Sequence, residues 1–541
     1  MMDPDSAHQT VGGNRQGTVL DDFLRLASAH PDKVAVVSYL VSRPDPVSLT
    51  YGDMAVLVDK LALKLISLGV KPRDFVSYQF PNRWEFVIAH LATIRIGAIS
   101  NPLMPIFGKR ELRFMLERTA SKVCIALKRT PRTEPGKVLE EIRDDLPSLE
   151  HLILVDDDDP TGSLESQLAD ISVTDLDRER LDRLAPKPDD VEVILFSSGT
   201  TGEPKGVLHS FNSTYRATSN AFAAMEMSER DVVLMPSPLA HATGFDYGVE
   251  MPLYCGCKAV YMEAWDPQQM LRLIEKEGIT WSKGSAAFVK DVCDAAETTT
   301  VDTSTFRCFV SGGAPIPPKL VGRAARLLGA QLIPCWGSTE VGIATIGKFT
   351  DSEEKRSSSD GSAVDGVTVR VVDDEGRLVP PNTPGHLQLR ASGQHVGYFM
   401  NDALYEASFE NGWFKTGDLG RLDEDGYVRI VGRSKDIVIR GGENVPIIEI
   451  ENLLLDIPEV ADIVIVGVPD DRLGERCHAV VVPRTPGRQF SLTELTAHLA
   501  TLDVTKQYWP EFISTWDALP RTASGKIQRF VVRDKIIQEG K

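Results

Sequence analysis

Short runs of β-branched and aromatic residues alternate with helical patterns along most of the chain. Leu20, Phe23, Leu24 and Ala27 share one helical face, which stops before Pro31. Val34–Tyr39 reads as a strand, and Leu49-Thr50-Tyr51-Gly52-Asp53 leads into a longer helix ending near Gly69. Phe75–Phe80 predicts a strand, Trp84–Gly97 a helix and Ala98–Pro102 another strand. Val123–Leu127, His151–Val155, Val191–Phe196, Val232–Met235, Ala259–Tyr261, Thr280–Lys283 and Phe309–Ser311 continue the rhythm. Strands separated by helices pack as sheets covered on both faces. The pattern therefore predicts an α/β fold, with a large domain of stacked, mostly parallel sheets.

The texture changes after Thr350–Ala363, a polar stretch rich in Ser and Glu that reads as a boundary or mobile loop. Val367–Val372, His386–Arg390 and Tyr427–Val431 are short alternating runs split by turn residues such as Asp374, Gly376 and Gly426. They predict a small antiparallel β-subdomain over about 364–434. The remainder is α/β again. Ile437–Arg440 is a strand, and Pro446 opens a helix with Ile447, Ile450, Leu453 and Leu454 on one face. Strands Ile463–Val466, Ala479–Val482 and Phe512–Trp516 follow, with helices Leu492–Leu499 and Phe530–Ile537. The expected organisation is a polar, disordered leader at 1–17, an N-terminal domain at 18–434 and a small mobile C-terminal domain at 435–541.

Of 541 residues, 42% are hydrophobic and 25% charged, which suits a globular protein with a real core. A net charge of -18 argues against a nucleic-acid partner and against simple attachment to anionic lipid. No apolar run is long enough to span a bilayer, and the leader lacks the apolar segment of a signal peptide. The seven cysteines are scattered. Cys255 and Cys257 form the only close pair, too tight for an ordinary disulfide or zinc site. Reduced thiols and a cytoplasmic location are the expectation. The acidic run Asp156–Asp159 reads as a solvated turn rather than a metal site.

The stretch with the most chemistry is Val191–Ser210. A strand empties into Ser197-Ser198-Gly199-Thr200-Thr201-Gly202-Glu203-Pro204-Lys205. Small side chains let backbone N–H groups approach a phosphate, hydroxyls add donors, and Lys205 adds charge. A lone loop of this kind is as easily a polar inter-strand turn. It is not a Walker A loop, because Pro204 precedes the lysine and Gly206 follows it. Nor do its glycines open a helix as in the dinucleotide fingerprint.

Further stretches follow in a fixed order: Ser311-Gly312-Gly313-Ala314-Pro315, Cys335-Trp336-Gly337-Ser338-Thr339-Glu340, Lys415-Thr416-Gly417-Asp418, Gly432-Arg433-Ser434-Lys435-Asp436 with Arg440-Gly441-Gly442-Glu443-Asn444, and Pro520-Arg521-Thr522-Ala523-Ser524-Gly525-Lys526. With these residues in this order the chain resembles the adenylate-forming superfamily of acyl-CoA synthetases, adenylation domains and luciferases, from about Val19 to Arg533. Met235–Phe245, Trp265-Asp266-Pro267 and Lys506–Glu511 are most similar to bacterial acyl-CoA ligases of the cyclohexanecarboxylate and medium-chain type.

The resemblance implies an ATP- and Mg²⁺-dependent acid:CoA ligase of the fatty acid metabolism type, AMP-forming, with the small C-terminal domain rotating between two half-reactions. Ser197, Ser198, Gly199, Thr200, Thr201, Gly202 and Lys205 would hold the leaving phosphates. Glu340 would bind Mg²⁺. Lys526 would reach both the carboxylate and the α-phosphate, which Thr339 would also contact. Gly313, Ala314 and Pro315 would flank the adenine and Trp336 stack on it, Cys335, Gly337 and Ser338 would also bind the nucleotide, and Asp418 would take the ribose hydroxyls with Arg433 beside it. Trp336 stands where tyrosine is commoner and should stack as well. Lys435 would be the hinge, and Arg440, Gly441, Gly442 and Glu443 would line the CoA route. His241, Phe245, Asp246, Gly312, Trp336 and Val341 would form the acyl pocket.

The reading leaves alternatives. His241 is as easily a packing residue as a catalytic one. Asp246 departs from the apolar pocket of relatives with aliphatic or cyclic acids; it either turns away or meets a substrate hydroxyl or amine. The acid is expected to be medium-chain, alicyclic or aromatic. The acceptor is CoA, with a carrier protein acting in trans as the alternative. A non-catalytic nucleotide-binding scaffold is disfavoured because Lys526, Glu340 and Asp418 are all present. A luciferase-like oxygenase would share the first half-reaction. A homodimer is compatible with the reading.

Overall fold

The computed structural model describes residues 15–130, 133–197, 204–313, 316–433, 438–440, 443–445, 447–470, 474–502, 504, 506–522 and 525–540; of residues 433, 439, 443, 444, 474 and 507 it describes the backbone alone. Two large sheets make the N-terminal domain. In the seven-stranded one, Val191–Ser197, Ile99–Pro102, Phe75–Gln79, Val123–Leu127 and His151–Val155 run parallel in that spatial order. Lys205–Ser210 folds back antiparallel on Val191–Ser197, and Gly397–Tyr398 closes that edge. The nine-stranded sheet has a parallel centre of Gln331–Ser338, Cys308–Ser311, Trp281–Gly284, Val232–Leu234, Lys258–Met262 and Val34–Tyr39. Its edge strands are antiparallel. The expected stack of mostly parallel sheets is the observed fold.

Helix Trp84–Arg95 packs against strands of both sheets, and all its residues are buried. A helix covered all round cannot leave polar groups unpaired. Arg83, at its entrance, donates to Glu85 at 2.7 and 2.5 Å, to Asp157 at 2.9 Å and to Glu263 at 3.2 Å. Asp157 follows a strand of the first sheet and Glu263 a strand of the second, so one buried guanidinium ties both sheets to the helix. Farther along, His90 contacts Ser100 at 2.8 Å and Glu250 at 3.0 Å.

The same contacts correct part of the reading of Asp156–Asp159. Asp156 pairs with Lys128 at 2.8 Å and Asp157 with Arg83 at 2.9 Å, so the first half of the run is tied down, while Asp158 and Asp159 stay exposed in a turn as expected. Thr350–Ala363 is also more ordered than expected. It contains helix Glu353–Ser358, whose Lys355 pairs with Asp423 at 2.6 Å, and strand Ser362–Ala363. It straps the nine-stranded sheet to the β-subdomain. At the N-terminus, Arg15 pairs with Asp22 at 2.6 Å and lies over the Tyr215 ring, which corrects the expected leader at 15–17; residues 1–14 lie outside the described residues.

The β-subdomain is a five-stranded sheet of Val367–Val372, Gly385–Ala391, Trp413–Leu422, Phe409–Glu410 and Val428–Arg433, antiparallel as expected. In the C-terminal domain, Val460–Asp470 and Gly474–Pro483 form an antiparallel ribbon, longer than the short strands the pattern gave. Val438–Arg440 and Glu443–Val445 extend one side, and Phe512–Thr515 joins the ribbon in parallel. All seven cysteines are free; the Cys255 and Cys257 sulfurs share a hydrogen bond at 2.9 Å. Among the described residues, no helix is long and apolar enough to cross a membrane.

Arg83→Met should destabilise the N-terminal domain by about 3–5 kcal/mol in urea unfolding, because it strands carboxylates in the interior. A loss of about 1 kcal/mol or less, the range of an exposed ion pair, would show that the clamp is not needed.

Candidate active site

Ser197, Gly312, Gly313, Cys335, Trp336, Gly337 and Ser338 stand where parallel strands end. Val191–Ser197, Trp281–Gly284, Cys308–Ser311 and Gln331–Ser338 all deliver their last residues, or the turns after them, to this edge. In open α/β sheets this is where ligands bind. Backbone crowding there explains two glycines. A Cβ on Gly312 would fall 2.4 Å from the Cys335 carbonyl oxygen, and one on Gly337 would fall 1.9 Å from that of Gly342. Gly313 has φ +76°, in the left-handed region that favours glycine.

The turn between Gln331–Ser338 and Gly342–Ile346 carries Thr339, Glu340 and Val341. It is held from outside. His209 contacts the Thr339 carbonyl at 2.7 Å, and the His395 backbone N–H donates to the Glu340 carbonyl at 2.8 Å. The Glu340 carboxylate accepts from Lys205 at 3.0 Å and from the Tyr398 hydroxyl at 3.0 Å. Lys205 also sits 4.9 Å from the centre of the Tyr398 ring. Burial opposes ionisation of Glu340, but the charge and hydrogen bond of Lys205 outweigh it and hold the carboxyl down at about 2. The two residues expected at the phosphates and the metal are thus paired with each other. Burial, then the nearby His209 and Lys205, push His395 down to about 3.

Trp336 does more than offer a face. Its indole N–H donates to Asp418 at 2.8 Å, and both are buried. Asp418 itself is fixed by its backbone N–H on the Thr416 hydroxyl at 3.1 Å, and stands opposite Arg433 in the strand register. Trp336 and Val341 pack with Val371, Leu387, Leu389 and Phe414 of the β-subdomain. Phe245 and Cys335 instead belong to the core between the two large sheets. Strand alternation puts Cys335 and Trp336 on opposite faces. The expected acyl-pocket set is therefore split: Trp336 and Val341 are not brought together with Phe245.

Asp246 lies in the π-helical stretch Phe245–Glu250 and is buried. Burial pushes its carboxyl up to about 7 against the pull of Lys283. Lys283, in the strand Trp281–Gly284, was read in sequence only as a strand residue. Burial lowers its ammonium, while Cys335 and Asp246 raise it. His241 accepts the Thr243 backbone N–H on Nδ1 at 3.2 Å, so its neutral ring carries the proton on Nε2. Burial, then the charges of Lys283 and Lys526, lower it to about 4.

Lys526 belongs to the C-terminal domain. Its loop is closed by Thr522 N–H on the Lys526 carbonyl at 2.7 Å and by Lys526 N–H on the Thr522 hydroxyl at 3.1 Å. A Cβ on Gly525 would lie 2.7 Å from the Ser285 hydroxyl, so the loop presses directly on the end of strand Trp281–Gly284. Lys319 and Asp456 join the domains at 2.7 Å. Arg440 pairs with Glu511 at 2.7 Å within the C-terminal domain. Ser198, Gly199, Thr200, Thr201, Gly202, Ala314, Pro315, Lys435, Gly441 and Gly442, and the side chains of Arg433 and Glu443, lie outside the described residues.

Sequence reasoning missed Lys283, Tyr398, His209 and His395. For Lys283 a signal existed: a lysine inside a central parallel strand, where both faces are covered, has no route to water. Tyr398 and His395 lie far from any motif; His209 stands at the end of the Val191–Ser210 stretch, but its contact with Thr339 is made only through the fold. Among the described residues, His90, Glu192 and Glu250 are the one cluster with metal-ligand spacing, within 4.8 Å of one another. They are fully buried, and His90 and Glu192 already have hydrogen-bond partners in Ser100, Glu250 and Thr214.

The fold and the site define a two-domain α/β enzyme whose charged groups converge on parallel strand ends. Residues 23–399 match the family described as AMP-binding enzyme, and residues 449–526 match the AMP-binding enzyme C-terminal domain. The chain belongs to this family, within the adenylate-forming superfamily. It is 34% identical to the medium-chain fatty-acid–CoA ligase of Escherichia coli, over 98% of this chain and 93% of the relative. It is 30% identical to a salicylyl-CoA synthase/salicylate adenylyltransferase of Streptomyces, over 97% and 95%. The crystal structure of an anthranilate CoA ligase with anthranoyl-AMP shares the fold with a TM-score of 0.84 at 23% identity, covering 97% of this chain and 98% of that one.

His241 should titrate with a midpoint near 4 in NMR of histidine-labelled protein. Lys283→Met should raise the midpoint by removing a repelling charge while leaving burial in place. A midpoint at the ordinary value of about 6.5, or no change in the variant, would contradict the electrostatics described.

Proposed function

We propose that this enzyme is a carboxylic acid:CoA ligase acting on a medium-chain, alicyclic or aromatic acid. In the first half-reaction a carboxylate oxygen attacks the α-phosphorus of ATP; the bond to the β-phosphate oxygen breaks, giving acyl-AMP and pyrophosphate. In the second, the CoA thiol gives up its proton, its sulfur attacks the acyl carbon, and AMP leaves. The observation that carries this reading is the position of the Lys526 loop on Ser285, with its charge felt at His241. It puts a C-terminal-domain ammonium at the strand ends where an acid and an α-phosphate would meet.

Both reactants of the first step are anions, so positioning and charge matter more than a base. Lys526 offsets charge in the transition state. Lys205 and the loop from Ser197 take the β- and γ-phosphates. Asp418, held by Trp336, accepts the ribose hydroxyls. The Glu340 carboxylate, ionised throughout the working pH range, fits a Mg²⁺ held by one carboxylate and the substrate phosphates. When bound, the ion neutralises charge on the phosphate oxygens. The binding of nucleotide would then exchange the Lys205–Glu340 pair for contacts of each partner with ligand. Neutral His241 suits the edge of a dry acyl pocket. The named acids of the relatives, a medium-chain fatty acid and salicylate, support the range of acids proposed.

Lys526→Ala should abolish acid-dependent ATP–pyrophosphate exchange, by about 100-fold or more, yet spare thioester formation from supplied acyl-AMP. Equal loss of both would sink its assigned role. Glu340→Gln should raise the Mg²⁺ concentration needed for half-maximal pyrophosphate release about tenfold; an unchanged requirement would remove it as a ligand.

A further inference from the structure

Among the described residues of the N-terminal domain, most buried charged side chains have an opposite charge or a hydrogen bond at hand. Arg83 is surrounded by carboxylates, and His90 by a hydroxyl and a carboxylate. Lys283 and Asp246 are each more than nine-tenths buried, at 6% and 5% exposure. Among the described residues neither charged end makes a hydrogen bond, and no ion pair within 4.0 Å joins them. What Lys283 does have is the face of Tyr247, 4.3 Å from its ammonium. A cation–π contact of this kind offsets only part of the cost of burying an ammonium.

Both groups stand near the strand end on which the Lys526 loop rests, so on the acid-activating reading above they border the path of the acyl chain. Lys283 is the last side-chain-bearing residue of its strand; Gly284 follows, then Ser285, on which the Lys526 loop rests. Its backbone pairs with Val310, and its carbonyl accepts the Ser237 hydroxyl at 3.4 Å. Asp246 comes from the π-helical stretch directly after Phe245, a kind of irregularity that often re-aims side chains at functional sites. Tyr247 is locked by its hydroxyl accepting the Ile343 N–H at 2.7 Å, so the platform beneath Lys283 is fixed. Burial lowers His241, and both Lys283 from the strand and Lys526 from the C-terminal loop act on it as well.

We infer that Lys283 and Asp246 form a polar subsite for a hydroxyl group carried on the acyl portion of the acid. The inference rests on the acid-activating reading above. A hydroxyl oxygen accepts from the Lys283 ammonium while its hydrogen goes to Asp246, so one group satisfies both. Charge decides against the other candidates. Lysine plus aspartate carries no net charge, whether the proton resides on nitrogen or on oxygen. An amine or a second carboxylate on the acid would add an uncompensated charge to a water-poor site. A methylene there would leave both polar groups unpaired, and sites built to bind a hydroxyl reject the analogue lacking it far more strongly than apolar pockets sort by size.

The test is acid-dependent pyrophosphate release without CoA. Octanoate and benzoate would be compared with counterparts bearing a hydroxyl at successive positions, and with octanedioate and ω-amino-octanoate. At least one hydroxylated acid should exceed its parent in kcat/KM by about tenfold or more, and both charged-tail acids should fall below the parent. Lys283→Met and Asp246→Asn, checked for folding by melting temperature, should each cut the hydroxyl preference about tenfold and improve the plain acid. Parents equal to or better than every hydroxylated counterpart in the wild type would overturn the inference, and so would a preference untouched in both variants. Release of pyrophosphate with no thioester on adding CoA would count against the CoA acceptor alone and leave this comparison intact. No release from any acid would overturn both readings.

Discussion

Taking charge out of water is the constraint on which the N-terminal domain depends. Stacking two sheets around helix Trp84–Arg95 buries every side of that helix, including Glu85, His90 and Arg95. The architecture is open only to a sequence that closes each of those groups with a partner. Arg83 does so by drawing Glu85, Asp157 and Glu263 from the helix and both sheets to one point. A buried pair is weak evidence of stability in itself, since apolar residues of the same volume often pack as well. Its worth here is geometric. The guanidinium fixes where the ends of two sheets stand relative to one helix, and the site is built from strand ends of both sheets.

That geometry sets the electrostatics of the site. The Lys205–Glu340 pair bridges the seven-stranded sheet and the hairpin that leaves the nine-stranded one. Opposite charges at 3.0 Å hold the two sheets' active edges together before any nucleotide arrives, and they keep Glu340 ionised in a place where burial alone would protonate it. Trp336 performs a similar task on the other side, with its indole N–H anchoring Asp418 of the β-subdomain. Each pair joins residues that stand far apart in the sequence, so the preformed site is a consequence of packing among three sheets rather than of any local motif.

Local rules explain why the fold was readable. Strand and helix periods, Gly and Pro punctuation, and caps such as Thr50 with Asp53 act within a few residues, and they gave the order of elements through both domains. What failed was long-range. Asp156 and Asp157 look like part of a solvated turn until Lys128 and Arg83 are placed beside them. Thr350–Ala363 looks like a linker until Lys355 finds Asp423. Motif order identified Lys205, Glu340, Asp418 and Lys526 as a group, but not that Lys205 meets Glu340 or that Trp336 holds Asp418. The resemblance put Val341 at the acyl pocket; in the fold it packs in one apolar cluster with Leu387 and Phe414, a neighbourhood the motif alone does not give.

The same reasoning separates Lys283 and Asp246 from the rest of the interior. Unpartnered side-chain atoms do occur elsewhere in the core, among them Arg95 Nη1 and Glu192 Oε1, but among the described residues these sit on charged groups that have other partners. The deep arginine and histidine of the central helix are closed, and the lysine and aspartate that are left open stand together next to the strand end that receives Lys526. Their placement is costly for the free enzyme, because each pulls the other's charge only across a gap wider than an ion pair. A fold that pairs most of its charges elsewhere retains this cost where a ligand can repay it. The stability forgone in the unliganded enzyme becomes discrimination when an acid with the right oxygen enters.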